Sequence, residues 1–140
     1  MSDNPISVDE FRKRLVALCL TPGSGVPRKQ RDRHILFKGI VLRLDRESVL
    51  SEKELDAGLQ SWLSEVERAP ETDHVTLRRH MVDEGYLVRD AAGSVYTSGD
   101  SNTAPPFAAE IKELDSRAIL DEARRGIEAR RRCYRNQSAD

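Results

Sequence analysis

Residues 73–89 place side chains that could contact nucleic acid on one side of a helix. Their sequence is DHVTLRRHMVDEGYLVR. At about 100° per residue, Thr76, Arg79 and His80 lie on one side of this helix together with Asp83. An arginine on such a face can form a bidentate hydrogen bond with guanine or bind a phosphate. The Asp83 carboxylate would repel phosphate, which weakens the case for deep insertion into a groove.

The apolar side of the same helix contains one arginine. Arg78 falls within the arc formed by Val75, Leu77, Met81 and Val82. A guanidinium at the edge of a core needs a carboxylate partner, because a buried charge left unpaired costs several kcal/mol. We therefore predict a structural ion pair between Arg78 and Asp83, with Asp90 as the alternative partner.

Two further basic groups could bind phosphates. The first, here called the entry cluster, precedes the second predicted helix and consists of Arg28, Lys29, Arg31 and Arg33. Arginines beside helix N-terminal amides can hold phosphates; a solvated helix start is the alternative interpretation. The second group, here called the basic tail, consists of Arg130, Arg131 and Arg132.

The region that contains the basic tail can also be interpreted as the solvated surface of an exposed helix. Three pairs of opposite charge follow the i,i+4 spacing that stabilises an exposed helix: Glu113 with Arg117, Asp121 with Arg125, and Glu128 with Arg132. The RRRCYR end is too basic for such pairing alone. It is therefore expected to contact nucleic acid, RNA included, or an acidic partner.

Local signals predict the elements that position these residues. S-x-x-E capping boxes begin helices at Ser7 and at Ser51, and an amphipathic helix lies between them around residues 35–44. Asp73 is the expected N-cap of the helix 74–84. Gly85 is expected to end that helix in a left-handed conformation, with Tyr86 folding back onto it.

A hairpin follows directly. Its strands are predicted at residues 86–89 and 94–97, with Asp90 and Gly93 as the first and last residues of a type I turn. Residues 99–106 read as a linker. Beyond it, apolar residues recur at helical spacing, but their register shifts near Asp115 and Ser116. This shift indicates either a kink or a new helix start.

Composition narrows the functional classes. The chain has 140 residues, a net charge of −1, 34% charged residues and 38% hydrophobic residues, so any affinity for nucleic acid must come from local patches. Residues 45–73 contain nine carboxylates against three cationic side chains, so a DNA-facing surface would avoid that side. Two isolated cysteines and the lack of a membrane span or signal peptide favour the cytoplasm.

An enzyme is not expected. His34, His74 and His80 lack metal-ligand spacing, and the chain has no nucleophile elbow or phosphate-cradling glycine loop. We therefore expect no catalytic residues, no metal site and no cofactor.

A resemblance to a known family covers about half of the chain, from Pro27 to Thr97. The segments VPRKQRDRHILFKGIVLRL, SEKEL and DHVTLRRHMVDEGYLVRD, followed by a hairpin, resemble the bacterial domain of unknown function 2087 family. The resemblance implies a winged-helix-like fold associated with transcription regulators, with no catalytic residues. The chain departs from that pattern in its longer SEVERAPETDH segment and in the single helix that precedes the match.

We predict a mainly α protein with a small β hairpin, built around a winged helix-turn-helix-like domain. The expected parts are an N-terminal helix and loop (1–25), the winged-helix-like domain (26–98), a linker (99–106) and a C-terminal helical extension (107–140). The expected function is nucleic-acid binding, to DNA with RNA not excluded. The alternative is a homodimer or a protein-interaction module that uses the N- and C-terminal helices.

Overall fold

The computed structural model describes residues 4–20, 27–44, 49–65, 74–99 and 104–138. Several predicted features lie outside these ranges: the loop 21–26, residues 45–48 and 66–73 of the acidic stretch (with the predicted N-cap Asp73), and the linker residues 100–103. The helices are α1 (Val8–Leu20), α2 (Gln30–Arg43), α3 (Glu52–Glu65), α4 (His74–Asp83), a short 3₁₀ helix (Ala109–Glu113) and α5 (Ser116–Ser138). The strands are β1 (Leu50–Ser51), β2 (Leu87–Arg89) and β3 (Val95–Ser98).

The three strands form an antiparallel sheet in the order β1-β3-β2. Leu50 pairs with Tyr96, and Leu87 pairs with Ser98. The fold is therefore mainly α with a small sheet, as predicted. Strand β1 belongs to the same sheet as the hairpin, so β3 is its central strand.

The end of α4 has the geometry expected from Gly85. This residue has a φ of 88°. The amide of Gly85 donates to the carbonyl of Val82 at 3.1 Å, and the amide of Tyr86 donates to the carbonyl of Met81 at 2.9 Å. These two bonds form a Schellman motif, which satisfies the last helical carbonyls and turns the chain. Tyr86 is thereby buried, and β2 begins at the next residue.

The hairpin turn is held by Asp90. Its carbonyl accepts the amide of Gly93 at 3.0 Å, and its Oδ1 accepts the amide of Ser94 at 2.7 Å. The amides of Val95 and Ser94, which both donate to the Asp90 carboxylate, lower the pKa of this carboxyl group. Gly93 has a φ of 73°, a conformation that other residues rarely adopt.

The two capping boxes differ. At Ser51, both reciprocal hydrogen bonds with Glu54 form, at 2.9 and 3.1 Å. At Ser7, the hydroxyl accepts the amide of Glu10 at 3.1 Å, but the Glu10 carboxylate binds Arg31 instead. At Ser7, therefore, only the hydrogen bond to the Ser7 hydroxyl is formed. The Glu10 carboxylate, which would complete the capping box, forms an ion pair with Arg31 instead.

Helix α2 is the centre of the molecule. The sequence predicts one apolar face, yet nearly every residue from His34 to Val41 is buried. The reason is that α1 and α5 both pack against it, while Phe37 meets Tyr86 edge-to-face at 5.7 Å. A Cβ at Gly39 would lie 2.6 Å from a methyl group of Leu15, so this glycine permits the close approach of α1.

The N-terminal segment is paired with the chain that follows the hairpin. The amide of Ile6 donates to the carbonyl of Pro106 at 2.8 Å, and the amide of Ala108 donates to the carbonyl of Ile6 at 2.9 Å. Ile6 is fully buried, and Phe11 of α1 meets Phe107 edge-to-face at 6.4 Å. The last part of the predicted linker is therefore structural, because it closes the core beside α1.

Helix α5 is a separate helix that begins at Ser116, with Asp115 as its N-cap. A new helix start here was one of the two predicted possibilities. The Asp115 carboxylate accepts the amide of Ala118 at 3.2 Å, which is an N-cap interaction. Glu113 ends the 3₁₀ helix, so it does not share a continuous helix with Arg117. Asp121 pairs with Arg124 at 3.3 Å rather than with Arg125.

We expect the Gly85→Ala variant to lose about 1–2 kcal/mol of unfolding free energy, because a Cβ is disfavoured at positive φ. The matched control is Gly126→Ala inside α5, where an added Cβ meets only Arg130 at 3.9 Å. That control should gain up to about 1 kcal/mol, since alanine is the better helix former. Urea unfolding monitored by circular dichroism measures both, and equal effects would contradict the role of Gly85.

Candidate nucleic-acid interface

The outer face of α4 carries the side chains that the helical wheel predicts. Thr76, Arg79 and His80 are exposed, whereas Leu77 and Met81 are buried. The exposed three line a shallow depression of about 210 Å³ together with Asp83. This face therefore combines a guanidinium, an imidazole and a hydroxyl with one carboxylate.

Arg78 is held inside the fold, but by different partners from those predicted. Its guanidinium forms ion pairs with Asp56 and, at 3.3 Å, with Glu52. Both carboxylates come from α3, which packs against α4. Burial opposes the charge of Arg78, but these carboxylates outweigh it and raise its pKa. Asp83 is exposed on the outer face and is not among the partners of Arg78, and Asp90 is occupied by the hairpin turn.

A cleft of about 420 Å³ separates α4 from the hairpin and the start of α3; we call it the α4–hairpin cleft. Arg79 of α4 and Arg89 of β2 both line it, beside Arg78. Its remaining lining residues are Glu52, Val82, Asp83 and Tyr96. Arg89 is not among the residues predicted to contact nucleic acid. Its position at the end of a strand, beside the predicted turn, could have indicated it.

The entry cluster is only partly available to a ligand. Arg31 binds both carboxylate oxygens of Glu10 at 2.5 and 2.6 Å and also donates to the carbonyl of Asn4 at 2.9 Å. The same contact lowers the pKa of Glu10. Arg33 donates to the carbonyl of Arg28 at 2.9 Å and lies 3.7 Å from the Glu84 carboxylate.

These contacts change the interpretation of the cluster. Arg31 and Arg33 connect α2 to the N-terminal segment and to the end of α4, which is a structural role. The side chains of Arg28 and Lys29 are exposed at the start of α2. Those two remain the members of the entry cluster best placed to meet a phosphate.

The basic tail extends along α5 beyond the packed part of that helix. Leu120 is buried, while every residue from Glu128 to Arg135 is exposed, including Tyr134 at 75%. Arg130 also borders a groove of about 360 Å³ between α1 and α5. The three predicted basic groups thus lie on three different elements: the start of α2, the outer face of α4 and the end of α5.

The match to a family model supplies the context for this geometry. Residues 24–98, more than half of the 140 residues, match the family described as "Uncharacterized protein conserved in bacteria (DUF2087)". The chain belongs to this family. Neither a curated protein nor a solved structure matches the chain. The DUF2087 segment contains α2, β1, α3, α4 and the hairpin, whereas α1, the 3₁₀ helix and α5 lie outside it.

A buried histidine joins α2 to the end of α4 within the DUF2087 segment. His34 is fully buried, and its Nδ1 lies 2.8 Å from the Tyr86 hydroxyl. Its Nε2 has no hydrogen-bond partner within the described part of the chain and faces the Glu84 carboxylate at 3.9 Å. Burial lowers the pKa of His34 despite this carboxylate, so the neutral imidazole is the folded form.

Other classes of site are not evident in the described residues. Among them, no group of three or more His, Cys, Asp or Glu side chains is arranged to hold a metal ion. Within the same ranges, every helix is too short or too polar to cross a membrane. Cys19 is buried and Cys133 is exposed, and neither forms a disulfide.

We expect Arg78→Ala to destabilise the protein by about 1–3 kcal/mol, because it leaves Asp56 and Glu52 without their cation. Arg79→Ala removes an exposed side chain with no ion pair to a described residue, and should change stability by less than about 0.5 kcal/mol. Thermal unfolding of both variants tests this division. Equal losses of melting temperature would contradict it.

We also expect stability to fall as the pH decreases below 6.5, the ordinary pKa of histidine. The unfolded chain takes up a proton there, whereas the folded state keeps His34 neutral, so protonation favours unfolding by up to about 1.4 kcal/mol per pH unit. Urea unfolding at pH 7 and pH 5 measures the slope. His34→Gln should show a shallower slope over this interval, and an unchanged slope would assign it to other groups.

Proposed function

We propose that the protein is a bacterial regulator that binds nucleic acid through α4, the hairpin and the flanking basic residues. The observation that carries this proposal is the order of the elements. In the DUF2087 segment, helix, short strand, two helices and two strands follow one another, and the sheet order is β1-β3-β2. This order of elements is typical of a winged helix-turn-helix, a fold in which the recognition helix enters the major groove, and it supports the proposal.

The exposed face of α4 supports this proposal. Thr76, Arg79 and His80 point away from the core while Leu77 and Met81 fix the helix to it. A major groove about 12 Å wide admits one helix. The hairpin leaves α4 without a linker, because the Schellman motif at Gly85 turns the chain within one residue. Arg89 on the hairpin then lies on the same side as Arg79, across the α4–hairpin cleft.

The charges limit how the docking works. Arg31, Arg33 and Arg78 are bound to carboxylates of the protein, so they cannot serve as major phosphate contacts. Among the basic residues considered for nucleic-acid contact, those with exposed side chains are Arg28, Lys29, Arg79, Arg89 and the basic tail. Binding therefore depends on few phosphate contacts, and the affinity should be moderate and sensitive to salt.

Fluorescence anisotropy with a labelled random duplex, repeated at several salt concentrations, tests the proposal. The logarithm of the affinity should fall with the logarithm of salt by about 0.9 for each neutralised phosphate. Substituting all three residues of the basic tail by alanine should reduce that slope by about two to three. Lys53→Ala is the control, because it removes an exposed cation from α3 beside Glu52 and Glu54 and should leave the slope unchanged. The same titration with structured RNA identifies the preferred nucleic acid.

A second candidate function follows from the groove between α1 and α5. Its floor contains Val16, Ile119, Ala123 and Ile127, an apolar surface suited to a partner chain or a second copy. Absence of salt-dependent binding to duplex and RNA would favour this candidate over the first. Sedimentation of the full chain and of a chain ending at Glu128 then separates the groove from the exposed tail, since that truncation keeps the packed part of α5.

A further inference from the structure

Arginines from two elements line the α4–hairpin cleft. Arg78 and Arg79 come from α4, and Arg89 comes from β2. The cleft has a volume of about 420 Å³, which lies in the range of ligand-binding pockets. Its floor includes Tyr96, which is 3% exposed. The lining contains three arginines against the carboxylates of Glu52 and Asp83, and this excess of positive charge favours an anion.

The three guanidiniums differ in what holds them. Arg78 is fixed by Asp56 and Glu52. In contrast, neither Arg79 nor Arg89 forms an ion pair with a described residue. Arg31 and Arg33 of the same DUF2087 segment are likewise bound to carboxylates within the fold. Arg79 and Arg89 thus line the same cleft without a carboxylate partner among the described residues.

The hairpin turn positions Arg89. Its guanidinium lies over Gly93, so close that a Cβ at Gly93 would collide with it. Glycine at this position thus serves the turn, through its φ of 73°, and also leaves space for the guanidinium. Arg89 is in this way brought back over the turn while still lining the cleft.

The number of donors indicates which anion fits. One guanidinium already satisfies a carboxylate, because its two parallel N–H groups match the two oxygens. Two guanidiniums from different elements together match a group with at least three acceptor oxygens, and phosphate is such a group. The Asp83 carboxylate also lines the cleft and opposes any anion there. Its removal should therefore strengthen binding, which is a test with a defined sign.

We propose that the α4–hairpin cleft binds a phosphoryl group between Arg79 and Arg89. The group belongs either to a nucleic-acid backbone or to a free phosphorylated ligand. The first source deepens the proposed nucleic-acid function and depends on it, whereas the second is independent of it.

Titration calorimetry with three probes tests the proposal: inorganic phosphate, adenosine 5′-monophosphate and a random DNA duplex. The double variant R79A/R89A should weaken the binding of at least one probe by about tenfold or more. Asp83→Asn should strengthen the same binding about threefold, because it removes an opposing charge. Lys13→Ala, which removes an exposed cation from α1, is the control for a general loss of positive charge and should change the affinity for phosphate and the mononucleotide by less than twofold. Circular dichroism confirms that each variant is folded.

The outcomes separate the two sources and the two proposals. A response to phosphate or the mononucleotide identifies a free ligand, and a response to the duplex alone identifies the backbone. If the duplex binds but R79A/R89A binds it as tightly as the native chain, the cleft proposal is wrong while nucleic-acid binding stands. If phosphate binds in the cleft and the duplex does not bind, the reverse holds. The cleft proposal also fails if none of the probes binds or if Asp83→Asn weakens binding.

Discussion

The contact of Tyr86 with His34 and Phe37 is the interaction on which the arrangement of α2, α4 and the sheet depends. Gly85 adopts a positive φ, and this conformation directs Tyr86 inward instead of continuing α4. The phenol ring then packs on Phe37, and its hydroxyl meets the ring of His34. Because β2 begins at the next residue, the same contact fixes where the hairpin leaves the helix. The position of the α4–hairpin cleft is a consequence of this junction.

The charged residues form two populations with different roles. Arg14, Arg31 and Arg78 each bind a carboxylate that lies far away in the sequence, on another helix. These pairs are partly buried, where unpaired charges are costly, so they specify which helix faces which. In contrast, the exposed side chains of Arg79, Arg89 and the basic tail form no ion pair with a described residue. The net charge of −1 conceals this separation.

Sequence analysis predicted the features that depend on neighbouring residues. The capping boxes, the helix stop at Gly85 and the turn at Asp90 all involve residues within about five positions of one another, so their signals are local. The exposed face of α4 followed from helical periodicity. The partners of Arg31 and Arg78 could not be predicted in this way, because Glu10 and Asp56 lie 21 and 22 positions away and many carboxylates are available. The burial of α2 was missed for a related reason: a helix covered by α1 and α5 needs apolar residues on more than one side.

The packing around α2 also bears on how the family segment is stabilised. Helices α1 and α5 lie outside residues 24–98 and pack against α2. The short pairing of Ile6 with Phe107 connects the chain before the segment to the chain after it. Without α1 and α5, the segment would expose the apolar side chains that they cover to water. The resulting loss of unfolding free energy would be proportional to the apolar area uncovered. In this chain the flanking helices are thus integral to the hydrophobic interior and are not appendages.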